Sequence, residues 1–170
     1  MLLSLHVHEF AVIEDAELLL DPSLTVLTGE TGAGKSVLIG ALQLILGDRA
    51  SSDQVRTGAP RASIEAILSI PSDHPVRSML DDRGIPLEEE MLIIRREVSR
   101  DGRSRAFMND TAVTVTVLRE IGQELIDLHG QHEHQSLLRP SNHLLLLDAF
   151  AGLDSERQEY SALLEEFTSA

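Results

Sequence analysis

The chain has 170 residues, 42% of them hydrophobic, with a formal net charge of −14 and no cysteine, enough for one soluble globular domain with a sizeable core. So acidic a balance argues against a chain that wraps nucleic acid, and 3% aromatics without Trp argue against a base-stacking platform. Without cysteine there is no disulfide framework and a cytosolic setting is expected; no apolar run is long enough to cross a membrane, and no basic-then-apolar leader opens the chain.

Met1 to His8 alternates, with Leu3, Leu5 and Val7 against Ser4, His6 and His8, the period of a half-buried strand. On its wet side His6 and His8 read as solvated histidines rather than metal ligands. Ala16 to Leu20 predicts a second short strand, and Asp21-Pro22-Ser23 a turn. Leu24 to Thr28, short and carrying β-branched residues, predicts a buried strand. It runs into Gly29-Glu30-Thr31-Gly32-Ala33-Gly34-Lys35-Ser36, which fills every position of G-x-x-x-x-G-K-[ST]. From Ser36 to Leu46 the apolar residues Leu38, Ala41, Leu42 and Ile45 fall on one helical face, and Gly47 stands where a helix-ending glycine belongs.

Strand, glycine loop and helix form the context of a P-loop. Gly29, Gly32 and Gly34 allow the backbone to bend and approach a polyphosphate without a Cβ. Loop N–H groups and the positive helix end would face the phosphates. Lys35 would reach the β- and γ-phosphates, and the Ser36 hydroxyl would ligate Mg²⁺. A glycine-rich turn that merely starts a helix is the plainer reading; the complete motif outweighs it.

The opening strands, Gly29 to Ser36, Leu46-Gly47-Asp48 and Val55-Arg56-Thr57-Gly58 together resemble the N-terminal half of an SMC-type ATPase head, an ABC-like P-loop fold. Within that superfamily the resemblance is to the RecN group of bacterial DNA-repair ATPases. It implies a nucleotide contact set of Gly29, Glu30, Thr31, Gly32, Ala33, Gly34, Lys35, Ser36 and Val37. It also implies an arginine near the phosphates at Arg56, for which a plain surface arginine stays equally open.

Arg61 to Ile70 alternates again and predicts a half-buried strand. Ser72 to Gly84 predicts a short helix capped by Ser72 or Asp73, with Pro75 in its first turn and Gly84 as terminator. Met91 to Val98 and Arg103 to Met108 flank Ser99-Arg100-Asp101-Gly102, a hairpin signal, so an antiparallel β lobe is expected. The hairpin holds Arg95, Arg96, Arg100, Arg103 and Arg105, five of the chain's 14 basic residues. A solvated edge strand protected by charge is favoured over a contact to a phosphate backbone. Ala112 to Val117 fits a strand by its alternation and a helix by the spacing beyond it; the resemblance places a helix at Val115 to Gly122.

Glu124 to Leu128 predicts a buried strand that enters His129-Gly130-Gln131-His132-Glu133-His134-Gln135. Three histidines suggest zinc, but the spacing matches no common structural site and no thiolate is near. The segment resembles the glutamine loop of the family, which implies that Gln131, or Gln135 as second choice, joins the Mg²⁺ and attacking-water network. Leu144-Leu145-Leu146-Leu147-Asp148 imitates a Walker B strand. Ala149 stands where the catalytic glutamate would, Ser141 is a suitable N-cap and Gly152 a suitable stop, so a helix is expected. From Leu153 a polar helix with a partial stripe of Tyr160, Leu163, Leu164 and Phe167 begins.

The predicted fold class is therefore α/β: the N-terminal lobe of an ABC/SMC-type P-loop head with a mixed or antiparallel β subdomain, residues 1–152, and the start of a coiled-coil arm, residues 153–170. By the resemblance, the cofactors are ATP and Mg²⁺. The partners are the C-terminal half of the same head, a second copy joined through heads and coiled coil, and DNA bound by the whole protein, with no membrane and a cytoplasmic, nucleoid-associated place of action. Signature motif, Walker B Asp-Glu and switch histidine are absent from the sequence, so this segment alone is expected to be inactive. Two other classes compete. A GTPase would want Asn-Lys-x-Asp, which does not occur, and a small-molecule kinase would want a basic lid, for which only the arginine hairpin offers itself. A non-enzymatic module would use nucleotide only to dimerise.

Overall fold

A computed structural model of the chain describes residues 1–30, 34–87, 89–126, 128 and 140–169. They form two compact units, Met1–Ile126 and Asp127–Ala170.

The first unit is built on one six-stranded sheet: β1 (Leu2–Phe10), β2 (Ile13–Leu19), β3 (Arg61–Ser69), β4 (Met91–Ser99), β5 (Ser104–Met108) and β6 (Thr111–Val113). The order is β2-β1-β3-β4-β5-β6, and every neighbouring pair is antiparallel. Register follows the side-chain alternation. Val7 stands opposite Ala16 on one side and Ile64 on the other, Ile64 opposite Arg96, and Arg96 opposite Ala106. Leu5, Val7, Ile64, Ala66, Leu92, Ile94 and Met108 thereby share one buried face. Helix α1 (Lys35–Ile45) packs on β1, β3 and β4, burying Ala41, Leu44 and Ile45. Helix α3 (Val115–Leu125) packs on β5 with Leu118 and Ile121 buried, and against the short α2 (Val76–Asp81).

Turn chemistry fixes the hairpins. Between β4 and β5, Gly102 takes φ +85° and the Asp101 carboxylate accepts from the Arg103 N–H at 3.2 Å. Between β5 and β6, Asn109 and Asp110 both have positive φ, the conformation of a tight two-residue turn. The Asn109 side chain then accepts from the Ile93 N–H at 2.7 Å and donates to the Pro86 carbonyl at 2.7 Å.

Several expectations are corrected. Leu24 to Thr28 forms no strand: Leu24 is 88% and Val26 69% exposed. Its β propensity meets no hydrogen-bonding neighbour among the described residues, and propensity without pairing does not make a strand. The β lobe is antiparallel among the described residues, as the hairpin signal implied. The arginine hairpin is a sheet edge only at its tip: β6 pairs with Ala106 to Met108 of β5 and leaves Ser104 and Arg105 unpaired on that side, while β4, with Arg95 and Arg96, is interior; the terminal strands are β2, with Glu14, Asp15 and Glu17, and the three-residue β6. Both readings of Ala112 to Val117 hold in part, since β6 gives way to α3, whose cap is Thr114 accepting from Val117 N–H at 3.2 Å. Glu124 and Leu125 belong to the last turn of α3 rather than to a strand; extended backbone starts at Ile126. Helix α2 has Pro75 at its N-cap, with neither Ser72 nor Asp73 capping it, and the His74 ring accepts from the Val76 N–H at 3.2 Å.

The second unit holds α4 (Pro140–Ala151) and α5 (Asp154–Ser169). The Leu144–Asp148 run is helical, as expected, and Gly152, at φ +70°, ends α4. Ser141 lies inside α4 rather than at its cap.

Candidate functional site

The phosphate-binding motif sits at the start of α1. Gly29 and Glu30 lead into it; Thr31, Gly32 and Ala33 lie outside the described residues. Gly34 is the N-cap at φ +90°, and a Cβ built there meets nothing within 4 Å. Glycine is needed for the left-handed turn. Val37 N–H and Leu38 N–H both donate to the Gly34 carbonyl at 3.0 Å. The first turn carries no acidic side chain and Gly34 makes no side-chain cap, so the positive end of α1 remains available to an anion. The Lys35 ammonium donates to the carbonyls of Gly29 and Glu30, the latter at 2.8 Å. It therefore folds back along the loop that would hold the phosphates. Ser36, next on the first turn, is exposed. A helix N-terminus, a lysine and a hydroxyl together fit a nucleotide polyphosphate with its divalent cation.

The far end of α1 is fastened to α3. Gly47 follows the helix at φ +92°. The Arg119 guanidinium donates to its carbonyl from Nη2 at 2.9 Å and Nε at 3.2 Å. This contact, across 72 residues of chain, leaves no signal in the local sequence.

Arg56 lies beyond a 3-10 turn, Ser52–Gln54, that closes with a capping box. The box was legible in Ser51-Ser52-Asp53-Gln54. Arg56 is held by two carboxylates from the β1–β2 hairpin, Glu9 at 3.5 Å and Glu14 at 3.2 Å. Its N–H donates to the Glu9 carbonyl at 2.9 Å, and Phe10 bridges Val55 alongside. Gln131, Gln135 and the histidine segment lie outside the described residues. Among the described residues no group of His, Asp and Glu is arranged to hold a metal.

The arginine hairpin is not a bare cationic patch. Arg61, Arg103 and Arg105 line a cavity of about 140 Å³ together with Glu97 and Asp101. Arg61 pairs with Glu97 at 3.8 Å and Arg103 with Asp101 at 3.0 Å. Arg95 lies 4.7 Å over the Phe107 ring and 4.0 Å from Asp110. Arg96 departs from the expectation of a solvated residue. It is 1% exposed on the covered face of the sheet, and its Nε and Nη1 have no hydrogen-bond partner among the described residues. Burial lowers its pKa from the usual guanidinium value. In the second unit, Asp148 is 15% exposed and pairs with Arg157 at 3.7 Å, a helical ion pair rather than the end of a Walker B strand.

A model of the AAA domain family matches residues 4–168. The chain is 46% identical over 169 residues to DNA repair protein RecN of Halalkalibacterium halodurans, covering 98% of this chain and 30% of that protein. It is 46% identical over 156 residues to DNA repair protein RecN of Bacillus subtilis, covering 92% and 27%. It thus spans under a third of the curated relatives it matches. Among solved structures, the Smc head domain of Pyrococcus furiosus, with an extended coiled coil and bound to the C-terminal domain of ScpA, superposes with a TM-score of 0.65 at 24% identity, covering 99% of this chain and 46% of that one. That likeness shows the fold: the N-terminal lobe of an SMC-type head.

Proposed function

Since the chain belongs to the AAA domain family, we propose that it is the ATP-binding part of a RecN-like ATPase that acts in DNA double-strand break repair by recombination. The observation that carries this is the P-loop at the head of α1, with Gly34 in its left-handed turn, no acidic side chain in the first helical turn, and Lys35 bonded to the carbonyls of Gly29 and Glu30. The backbone from Gly29 to Gly34 cradles the phosphates, with Glu30, Thr31, Gly32 and Ala33 between the glycines and Val37 in the first turn behind them. Lys35 holds the β- and γ-phosphates. Ser36 and Gln131 would hold Mg²⁺, which would offset the negative charge of the phosphates. Gln131 also orients the attacking water. Arg56 contributes a second positive charge near the nucleotide, its approach set by Glu9 and Glu14.

The rest of the reaction belongs to parts beyond this segment. The C-terminal half of the head supplies the Walker B Asp-Glu and the signature loop, and two heads close around two nucleotides in a homodimer. The whole protein binds DNA in the cytoplasm, at the nucleoid. Catalysis of phosphoryl transfer is positioning plus electrostatic stabilisation, and both arise only when the halves meet.

Titration of Mg²⁺-ATP into the full-length wild-type protein and its Lys35→Ala variant, followed by phosphate release and sedimentation, tests this. Binding and turnover that both depend on Lys35 support the proposal. Dimerisation on ATP without turnover would instead favour an architectural module, and a preference for GTP a different P-loop enzyme.

A further inference from the structure

The two ends of α1 do different things. Its start faces the proposed phosphate site; its finish is locked to α3 by a reciprocal glycine contact. A Cβ on Gly47 would lie 2.7 Å from the backbone of Arg119, and a Cβ on Gly122 would lie 3.0 Å from the Cα of Leu46. The glycine just past α1 and the glycine within α3 each stand where a side chain would run into the other segment's backbone. Arg119 adds two hydrogen bonds onto one carbonyl, that of Gly47, at the negative end of α1 where a cation is favoured. Backbone-to-backbone packing of this kind does not slide in small increments, because close-packed contacts resist intermediate positions. An 11-residue helix is also too short to bend appreciably between its ends.

We propose that Arg119 is a positioning residue for the nucleotide site: with Gly47 and Gly122 it joins α1 and α3 into one rigid piece, so that phosphate contact at Lys35 is transmitted to α3. The proposal rests on the reading of the P-loop given above. Gln131 follows α3 in the sequence, so in chain order the joint stands between Lys35 and Gln131. Linkage makes the effect mutual: whatever nucleotide does to α3, a loosened α3 does to nucleotide affinity by the same factor.

Hydrogen exchange of the full-length protein with and without Mg²⁺-ATP tests it, using wild type, Arg119→Ala and Arg119→Lys, with circular dichroism to confirm folding. In wild type, nucleotide slows exchange in both Lys35–Ile45 and Val115–Leu125. In Arg119→Ala the slowing stays in α1 and is lost from α3, and ATP affinity falls by about fivefold or more, the lower range of allosteric couplings. Arg119→Lys, which keeps the charge but not the planar fork, restores part of both. A purely structural role would lower the melting temperature of Arg119→Ala and leave the nucleotide-induced slowing of α3 intact, and that result overturns the proposal. So does a wild type in which α1 responds and α3 does not. If neither helix responds in wild type, the phosphate-site reading itself falls and the joint's role falls with it. If Arg119→Ala does not fold, Arg119→Lys alone decides: undiminished slowing of α3 and unchanged affinity in that variant overturn the proposal.

Discussion

The Lys35 ammonium lies 2.8 Å from the carbonyl oxygen of Glu30 and also binds the carbonyl of Gly29. The lysine that would meet a phosphate thus has its stem laid along the loop, with the carbonyls as its resting partners. Exchanging a neutral carbonyl for an anionic phosphate oxygen adds attraction between opposite charges at little conformational cost.

Lys35→Ala is therefore expected to weaken ATP binding by about 10- to 100-fold, the equivalent of the 1.5–3 kcal/mol of a hydrogen bond to a charged group, while the fold survives. Calorimetric titration checks the first part and circular dichroism the second. Equal affinities in the two proteins would remove Lys35 from the site.

Gly47 and Gly58 both have positive φ, +92° and +96°, yet only Gly47 is crowded, by Arg119 at 2.7 Å, whereas Gly58 has nothing within 4 Å. Alanine at either position meets the left-handed strain, about 1–2 kcal/mol. Gly47→Ala must also displace α3, an overpacking cost of about 1–3 kcal/mol more. Urea unfolding of the two variants should show that difference; equal losses would mean that the α1–α3 contact yields without cost.

Arg96 is charged, buried and, among the described residues, unpartnered at Nε and Nη1. Arg96→Met keeps the stem's packing beside Ile64 and Ala106 and removes the desolvated charge. It is expected to raise stability by about 1 kcal/mol or more, within the range found when buried charges give way to apolar residues. The pKa is lowered by burial, so the folded state loses its proton before the unfolded state does. Stability then rises with pH only in strongly alkaline solution, between the folded and unfolded values. At neutral pH the guanidinium stays charged in both states and the gain should not vary with pH. A destabilised Arg96→Met in urea unfolding would show that Arg96 has a partner that outweighs its desolvation.

Residues 1–170 alone are expected to release no phosphate from Mg²⁺-ATP above a Lys35→Ala blank. Losing one well-placed electrostatic group typically costs about a hundredfold to a thousandfold in rate, and the Asp-Glu pair and signature loop are both missing from the sequence. Asp148, helical and paired with Arg157, does not replace them. Steady turnover that disappears in Asp148→Asn would contradict this assignment.

The sequence alone determined whatever depends on neighbours in the chain. A P-loop is eight consecutive residues, and Gly34 in its left-handed turn follows from them. Alternation placed the two faces of β1 and β3, Asp101-Gly102 turned the hairpin between β4 and β5, and Gly47 closed α1, because turns, caps and side-chain parity are set within a few residues. The same parity held information that was passed over: Leu92, Ile94, Arg96 and Val98 share one face, so the burial of Arg96 could have been read from its place among them.

Only the tertiary structure decided the pairings. Leu24 to Thr28 has the composition of a strand, but a strand exists by its hydrogen-bonded neighbours, and none of the described residues supplies one. Arg56 is a lone arginine until the β1–β2 hairpin brings Glu9 and Glu14 to it, and Arg119 until α3 crosses the end of α1 at Gly47. Local rules fix conformation; which distant groups meet is fixed by how the sheet and helices bury one common core, and no short stretch of sequence contains that arrangement.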